Sequence, residues 1–311
     1  MRKKSVLILL AMITALSFVF AGCSDNSNKT ANSPSASPST SSSPSGSKFD
    51  TGKEIAVVSR EEGSGTRGAF IELFGVEEKG ADGTKKDNTT KDAEIQKSTG
   101  AAMTSVASNP YAIGYISLGS LNDTVKALKI DGAEATVDNI KSGTYKISRP
   151  FNIATKGEAT GLAKDFIDFI LSKEGQDIVE AEKFIKVSDD AAAFAGTKPT
   201  GKIVVGGSSS VTPVMEKLKE AYIKLNPSAE IEIQQNDSSS GMKGAIDGTF
   251  DIGMASRELK DSELASLTGI QIAIDGVAVV VNPANTAEDL TAAQVKDIFT
   301  GAVTEWSAVL K

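Results

Sequence analysis

From residue 49 onward, short apolar runs rich in β-branched residues alternate with amphipathic stretches, and this alternation constrains the fold more than any other feature. Short apolar runs bury as strands, whereas apolar residues three and four apart bury one face of a helix. Residues 54–59 read as a buried strand and 67–74 as the helix after it. Residues 202–205 and 230–234 are further strands, followed by helices over 211–225 and from the 237–240 cluster through Ile246. Residues 278–281 form another strand, and 291–299 a helix with Thr291 as its N-cap. Leu162, Phe166, Phe169 and Ile170 stand at helical spacing, so 160–180 reads as helix lying on a sheet. Strands interleaved with helices imply an α/β fold with mainly parallel sheets.

Three of these strands run into a Gly/Ser/Thr cluster that opens a helix: Gly63-Ser64-Gly65-Thr66, the 206–210 run and the 237–240 run. Each junction offers backbone N–H groups without helical partners, hydroxyl donors and the positive end of a helix dipole. A single junction is ordinary capping chemistry. Three together describe a site that surrounds a small oxyanion with neutral donors. Arg60 stands at a strand end before the first cluster, where it can present a bidentate fork, and Glu62 is a nearby carboxylate able to hold that fork. The plainer alternative for Arg60 is a surface ion pair of little worth.

Composition narrows the chemistry further. The chain of 311 residues has no histidine and one cysteine, which removes the commonest general base, the commonest zinc ligand, the Ser-His-Asp arrangement and any internal disulfide. No enzyme activity, metal or cofactor is expected. The net charge of −7 disfavours a nucleic-acid partner. An anion must therefore bind through local dipoles and a few placed cations.

Arg2, Lys3 and Lys4 precede an apolar run over 6–20, and Ala21-Gly22-Cys23 follows. This resembles the bacterial lipoprotein signal, with Phe20 a slight departure, and implies a signal peptide over 1–22 and lipidation at Cys23. Residues 23–48, rich in Ser, Pro, Thr and Asn, read as a flexible tether. The sequence has no second apolar span, so anything that must cross the bilayer would need another protein to carry it.

Ser59-Arg60-Glu61-Glu62-Gly63-Ser64-Gly65-Thr66-Arg67 resembles the R-x-[DE]-G-S-G-T signature of the phosphate-binding proteins of high-affinity phosphate ABC importers. Gly207-Ser208-Ser209-Ser210-Val211-Thr212-Pro213, Asp237-Ser238-Ser239-Ser240-Gly241 and Ala255-Ser256-Arg257-Glu258-Leu259 resemble that family's three anion loops. The resemblance implies a two-lobed periplasmic-binding-protein-like fold of type II with the ligand between the lobes. It implies phosphate ligands Arg60, Ser64, Gly65 and Thr66 from one lobe, and Ser209, Ser210, Val211 (through its N–H), Ser239 and Ser256 from the other. Some family members place an aspartate after the serine equivalent to Ser256, where it accepts the phosphate proton; here Arg257 stands there. Asp275 is a candidate acceptor, or else a turn residue at a strand start.

In the family the segment resembling 201–310 comes first, so this chain resembles a circular permutation of it. The chain would cross between lobes near Val281-Asn282 and Arg149-Pro150. One lobe is then 49–150 with 282–311, and the other is 151–281, containing a linker over 187–200 that can span about 45 Å. The C-terminal end and Thr51 should lie within about 15–20 Å of each other. The partners implied are inorganic phosphate, the permease of a phosphate importer and the membrane through the lipid anchor, with the protein a monomer. The alternatives are a receptor or sensor for another tetrahedral oxyanion such as sulfate, a lipid-anchored phosphatase or hydrolase, and an adhesive lipoprotein.

Overall fold

The structure, a computed structural model, describes residues 49–81 and 83–310. The readings made for residues 1–48, signal, Cys23 and tether, lie outside the described residues. Eight strands carry the architecture: β1 (Ala56–Arg60), β2 (Glu94–Gln96), β3 (Ala112–Ser117), β4 (Ser148–Thr155), β5 (Gly201–Ser208), β6 (Ala229–Asn236), β7 (Ile252–Ala255) and β8 (Thr268–Val281). They lie side by side in the order β6-β5-β7-β4-β8-β3-β1-β2.

The expectation of mainly parallel sheets holds at both ends and fails in the middle. Pairing is parallel within β6-β5-β7 and within β3-β1-β2. It is antiparallel wherever β4 or β8 takes part. These two stand between the parallel ends. β8 pairs with β4 up to Gly276 and with β3 from Val277 onward. The changeover thus falls between Gly276 and Val277. The reason is apolar: Val277, Val279 and Val281 already pack with Val57, Phe70 and Phe299, and Ala278 and Val280 with Val58 and Ile116 on the opposite face. A strand covered on both faces is apolar throughout, which hides its switch of partners.

Two sets of cores flank this changeover. Ile55, Val57, Phe70, Tyr115, Phe299 and Trp306 belong to one, and Phe151, Phe166, Phe169, Leu218, Tyr222 and Met254 to the other. Each such side chain contributes about 1.5–3 kcal/mol by leaving water. The first core draws on both ends of the described chain. The Ile55 N–H donates to the Thr304 carbonyl (2.8 Å), and the Trp306 N–H to the Lys53 carbonyl (3.2 Å). The Phe49 and Trp306 rings lie 6.0 Å apart.

The helices used below are α1 (Gly65–Leu73), α2 (Thr99–Ser108), α3 (Gly161–Leu171), α4 (Lys173–Ala181), α5 (Thr212–Leu225), α6 (Ser238–Asp247) and α7 (Ala292–Phe299). Thr291 caps α7 through the Gln294 N–H, as its sequence position implies. The stretch 160–180 is two helices. Ser172 breaks it with extended backbone and caps α4 through the Gly175 N–H. Gly175 lets the two helices meet closely, since a Cβ there would stand 2.5 Å from the Ile170 carbonyl oxygen. The 187–200 linker is pinned to the second core. The Thr197 N–H donates to Asp165 (2.7 Å), and the Phe194 ring meets that of Phe169 edge-on at 5.3 Å.

Candidate functional site

β1 ends at Arg60, and the chain turns at once. The Ser64 N–H closes the turn on the Glu61 carbonyl (3.0 Å). Ser64 is then the N-cap of α1, its hydroxyl accepting from the Arg67 N–H. Arg67 reaches back to the Arg60 carbonyl (2.7 Å), and the Arg60 N–H donates to the Tyr115 hydroxyl (3.1 Å). The Tyr115 ring stacks on Phe70 with centroids 3.9 Å apart, so Arg60 has a rigid backbone. Its guanidinium is buried and gripped by both oxygens of Glu61, at 2.8 and 2.7 Å. Glu62, the carboxylate singled out from sequence, is exposed on the outer side of the turn. The fork is held by the residue adjoining Arg60 because the Glu61 N–H still follows the strand direction, bonding to the Gln96 carbonyl (3.1 Å).

Across the cleft, the Arg60 Nη2 donates to the Ser209 hydroxyl at 3.1 Å, and Thr66 and Ser210 share a hydroxyl–hydroxyl bond of 2.9 Å. Gly65 lies against the second lobe: a Cβ there would stand 2.5 Å from Ser238 Oγ and 2.7 Å from Ser256 Oγ. The Ser239 N–H donates to the Gly63 carbonyl (3.2 Å), while the Ser239 hydroxyl accepts from Arg257 (3.3 Å). Ser256 is wholly buried, its N–H on Ser238 Oγ (3.1 Å) and its hydroxyl bonded to that of Ser208 (2.9 Å). The fold therefore gathers Arg60, Ser64, Gly65, Thr66, Ser209, Ser210, Ser239 and Ser256 along one seam.

Two of the sequence candidates are placed otherwise. The Val211 N–H is engaged by the Ser208 carbonyl (3.0 Å), and its side chain belongs to the second core. Asp275 is inside β8, not in a turn at a strand start, because the buried strand runs through it from Thr268 to Val281. Its carboxylate pairs with Arg149 (3.0 Å) and accepts from the Ser117 hydroxyl (3.0 Å). Burial pushes the Asp275 carboxyl up and the Arg149 guanidinium down, each against their mutual attraction.

Thr99 was missed by the sequence reading. Its hydroxyl accepts from Arg60 Nη1 (3.3 Å) and lies 3.0 Å from Ser210 Oγ, and its N–H donates to Ser209 Oγ (3.2 Å). The signal was present in Ser98-Thr99-Gly100, a fourth strand–cluster–helix junction with Ser98 as the cap of α2. The preceding strand, Glu94-Ile95-Gln96, is too short and polar to be read as one. Ser208 and Ser238 lie within the loops already named, beside the positions chosen.

Chemically, the seam is a set of hydroxyls and helix N-termini around the buried Arg60 guanidinium, and it suits an anion bound by hydrogen bonds. Among the described residues no group of His, Cys, Asp and Glu is placed to hold a metal. A cavity of about 340 Å³, lined by Glu61, Lys97, Gln235, Asn236 and Asp237, adjoins the seam. The larger cavity, about 650 Å³, lies against Lys53, Ile55, Tyr111 and Val303 and includes none of these hydroxyls, so volume does not identify the site.

Comparison with known proteins identifies the family. A family model described as a PBP superfamily domain matches residues 42–174 and 192–311. The phosphate-binding protein PstS 2 of Streptococcus agalactiae serotype V is 53% identical over 316 residues, covering 100% of both chains. PstS 2 of Streptococcus pneumoniae serotype 4 is 48% identical over 264 residues, covering 85% of this chain and 90% of that protein. The crystal structure of a phosphate-binding protein of a phosphate ABC transporter from Streptococcus pneumoniae TIGR4 superimposes with a TM-score of 0.66 at 48% identity, covering 82% of this chain and 99% of that one. The chain belongs to the PBP superfamily and, within it, to the family of phosphate-binding proteins.

Proposed function

We propose that this chain captures inorganic phosphate between its two lobes and delivers it to an ABC importer. The observation that carries the reading is the Arg60 guanidinium, buried, held by Glu61 and donating through Nη2 to Ser209 and through Nη1 to Thr99, beside the paired hydroxyls of Thr66 and Ser210. Such a set meets a tetrahedral oxyanion from several sides, and charge-assisted bonds of this kind are worth about 1.5–3 kcal/mol each. Arg60, Ser64, Gly65 and Thr66 would contact phosphate from the first lobe, and Ser209, Ser210, Ser239 and Ser256 from the second. The protein acts by binding alone. Closure is a hinge motion about β4 and β8 that brings the two sets of donors together.

The domain reading that goes with this assigns 49–150 and the C-terminal segment to one lobe and the residues between to the other. Permuted segment order is supported by the hydrogen bonds between residues 53–55 and 304–306, which put the two ends of the described chain in one lobe. We also propose a monomer tethered to the outer face of the membrane through lipid on Cys23.

Calorimetric titration of the purified chain with phosphate and, separately, sulfate tests the reading. Phosphate should bind with a single site and much more tightly than sulfate. Heat from sulfate alone, or from neither anion, would overturn it.

A further inference from the structure

Arg149 and Asp275 face each other directly on β4 and β8, and both side chains are buried. A carboxylate has about four lone-pair positions. Three of them at Asp275 are taken, by Arg149 Nε (3.3 Å) and Nη2 (3.0 Å) and by the Ser117 hydroxyl (3.0 Å).

The remaining arm of Arg149, Nη1, donates to the Ser256 carbonyl at 3.0 Å. Ser256 is thereby held at three points: its carbonyl by Arg149, its N–H by Ser238 and its hydroxyl by Ser208. Ser117 stands at the end of β3 in the first lobe, and Ser256 follows β7 in the second. The ion pair therefore bridges the two lobes through the changeover between them. Burying two charges is costly, and well-packed apolar residues usually serve stability as well or better. What an apolar pair lacks is the directed donor to Ser256.

We infer that Arg149 and Asp275 are positioning residues for the anion site, holding the Ser256 loop in its donor geometry by tying it to the end of β3. The inference rests on the phosphate reading above.

The test is titration of the full chain with inorganic phosphate, alongside thermal unfolding of each variant without ligand. The variants are Arg149→Lys, Asp275→Asn and the apolar double variant Arg149→Met/Asp275→Leu, each made in the wild-type and Ser256→Ala backgrounds. In the wild-type background each should bind phosphate at least tenfold more weakly. The double variant, free of buried charge, should unfold no lower than wild type, which separates positioning from stability. In the Ser256→Ala background the same changes should weaken binding by less than about twofold more, since the loop they act on is already impaired. A double variant that binds phosphate like wild type would reduce the pair to a structural element and overturn the inference. So would an equal loss in both backgrounds. If the wild-type protein binds no phosphate, the proposed function falls first and this inference with it.

Discussion

Arg60 and Ser209 stand 149 residues apart in the chain, yet the guanidinium of one donates to the hydroxyl of the other across 3.1 Å. The bond joins the end of β1 to the turn after β5, beside the hydroxyls of Thr66, Thr99 and Ser210. Its donor is held on the opposite side by both oxygens of Glu61, so the arm that reaches Ser209 has little freedom to swing away.

Arg60→Lys should therefore weaken phosphate binding by roughly ten- to a hundredfold, the equivalent of one charge-assisted bond of about 1.5–3 kcal/mol. Lysine keeps the charge but cannot hold Glu61 and reach Ser209 together. Calorimetry would check this, and an unchanged dissociation constant would take Arg60 out of the site.

Gly65→Ala should block closure without unfolding the protein. The added Cβ would stand 2.5 Å from Ser238 Oγ and 3.0 Å from the Ser256 backbone carbon, and the latter cannot rotate aside. Alanine suits a helix better than glycine, so the lobe carrying α1 should be no less stable. We expect phosphate affinity to fall at least tenfold, with no drop in the midpoint of thermal unfolding measured without ligand.

Thr99→Val tests the junction that the sequence reading passed over. The substitution removes a hydroxyl placed among Arg60, Ser209 and Ser210 while nearly preserving shape. Binding should weaken about three- to tenfold, as befits one neutral hydrogen bond of about 0.5–1.5 kcal/mol. Thr99→Ser should restore most of it, and a valine variant with wild-type affinity would show that Thr99 is only a neighbour of the site.

Stability should depend on pH through Glu263. Burial by itself would raise this carboxyl, but the Arg257 guanidinium and the Lys260 N–H outweigh it and hold the group below its ordinary value. A depressed carboxyl stabilises the fold fully above its unfolded value near 4.5, and that contribution disappears as pH falls through the folded value. The urea midpoint of wild type should thus exceed that of Glu263→Gln by a constant margin from neutral pH to about pH 5.5. Below that the margin should narrow. A margin that stays constant down to pH 3 would show that the carboxylate is not linked to folding in this way.

Cys23→Ser should leave phosphate binding intact and send the protein to the soluble fraction or leave its signal uncleaved. Fractionation of cells with an immunoblot reads this directly. Processed protein that stays on the membrane would rule out lipid at Cys23 as the anchor.

Local chemistry was readable because it needs only a few adjacent residues. Ser64 before Gly65-Thr66, Asp237 before Ser238 and Thr291 before Ala292 each cap a helix where the sequence places a small polar residue ahead of a periodic run. The same cues marked the anion loops. The α/β class followed from the spacing of apolar residues, and the pairing of residues 53–55 with 304–306 agrees with the two ends that permuted order would bring together.

Tertiary structure decided which neighbour each polar group meets. Glu61 rather than Glu62 grips Arg60, because the turn after β1 swings the second carboxylate into solvent. From sequence Asp275 is either a proton acceptor or a turn residue at a strand start; in the fold it is buried inside β8, opposite Arg149. Thr99 belongs to the seam only because β2 lies beside β1 and aims the start of α2 at Ser209 and Ser210. Capping and periodicity act over one or two turns of chain, so a sequence carries them openly. Ion pairs and hydroxyl contacts across a cleft depend on strand order and on where β8 changes partners, and those are settled only when the two cores pack.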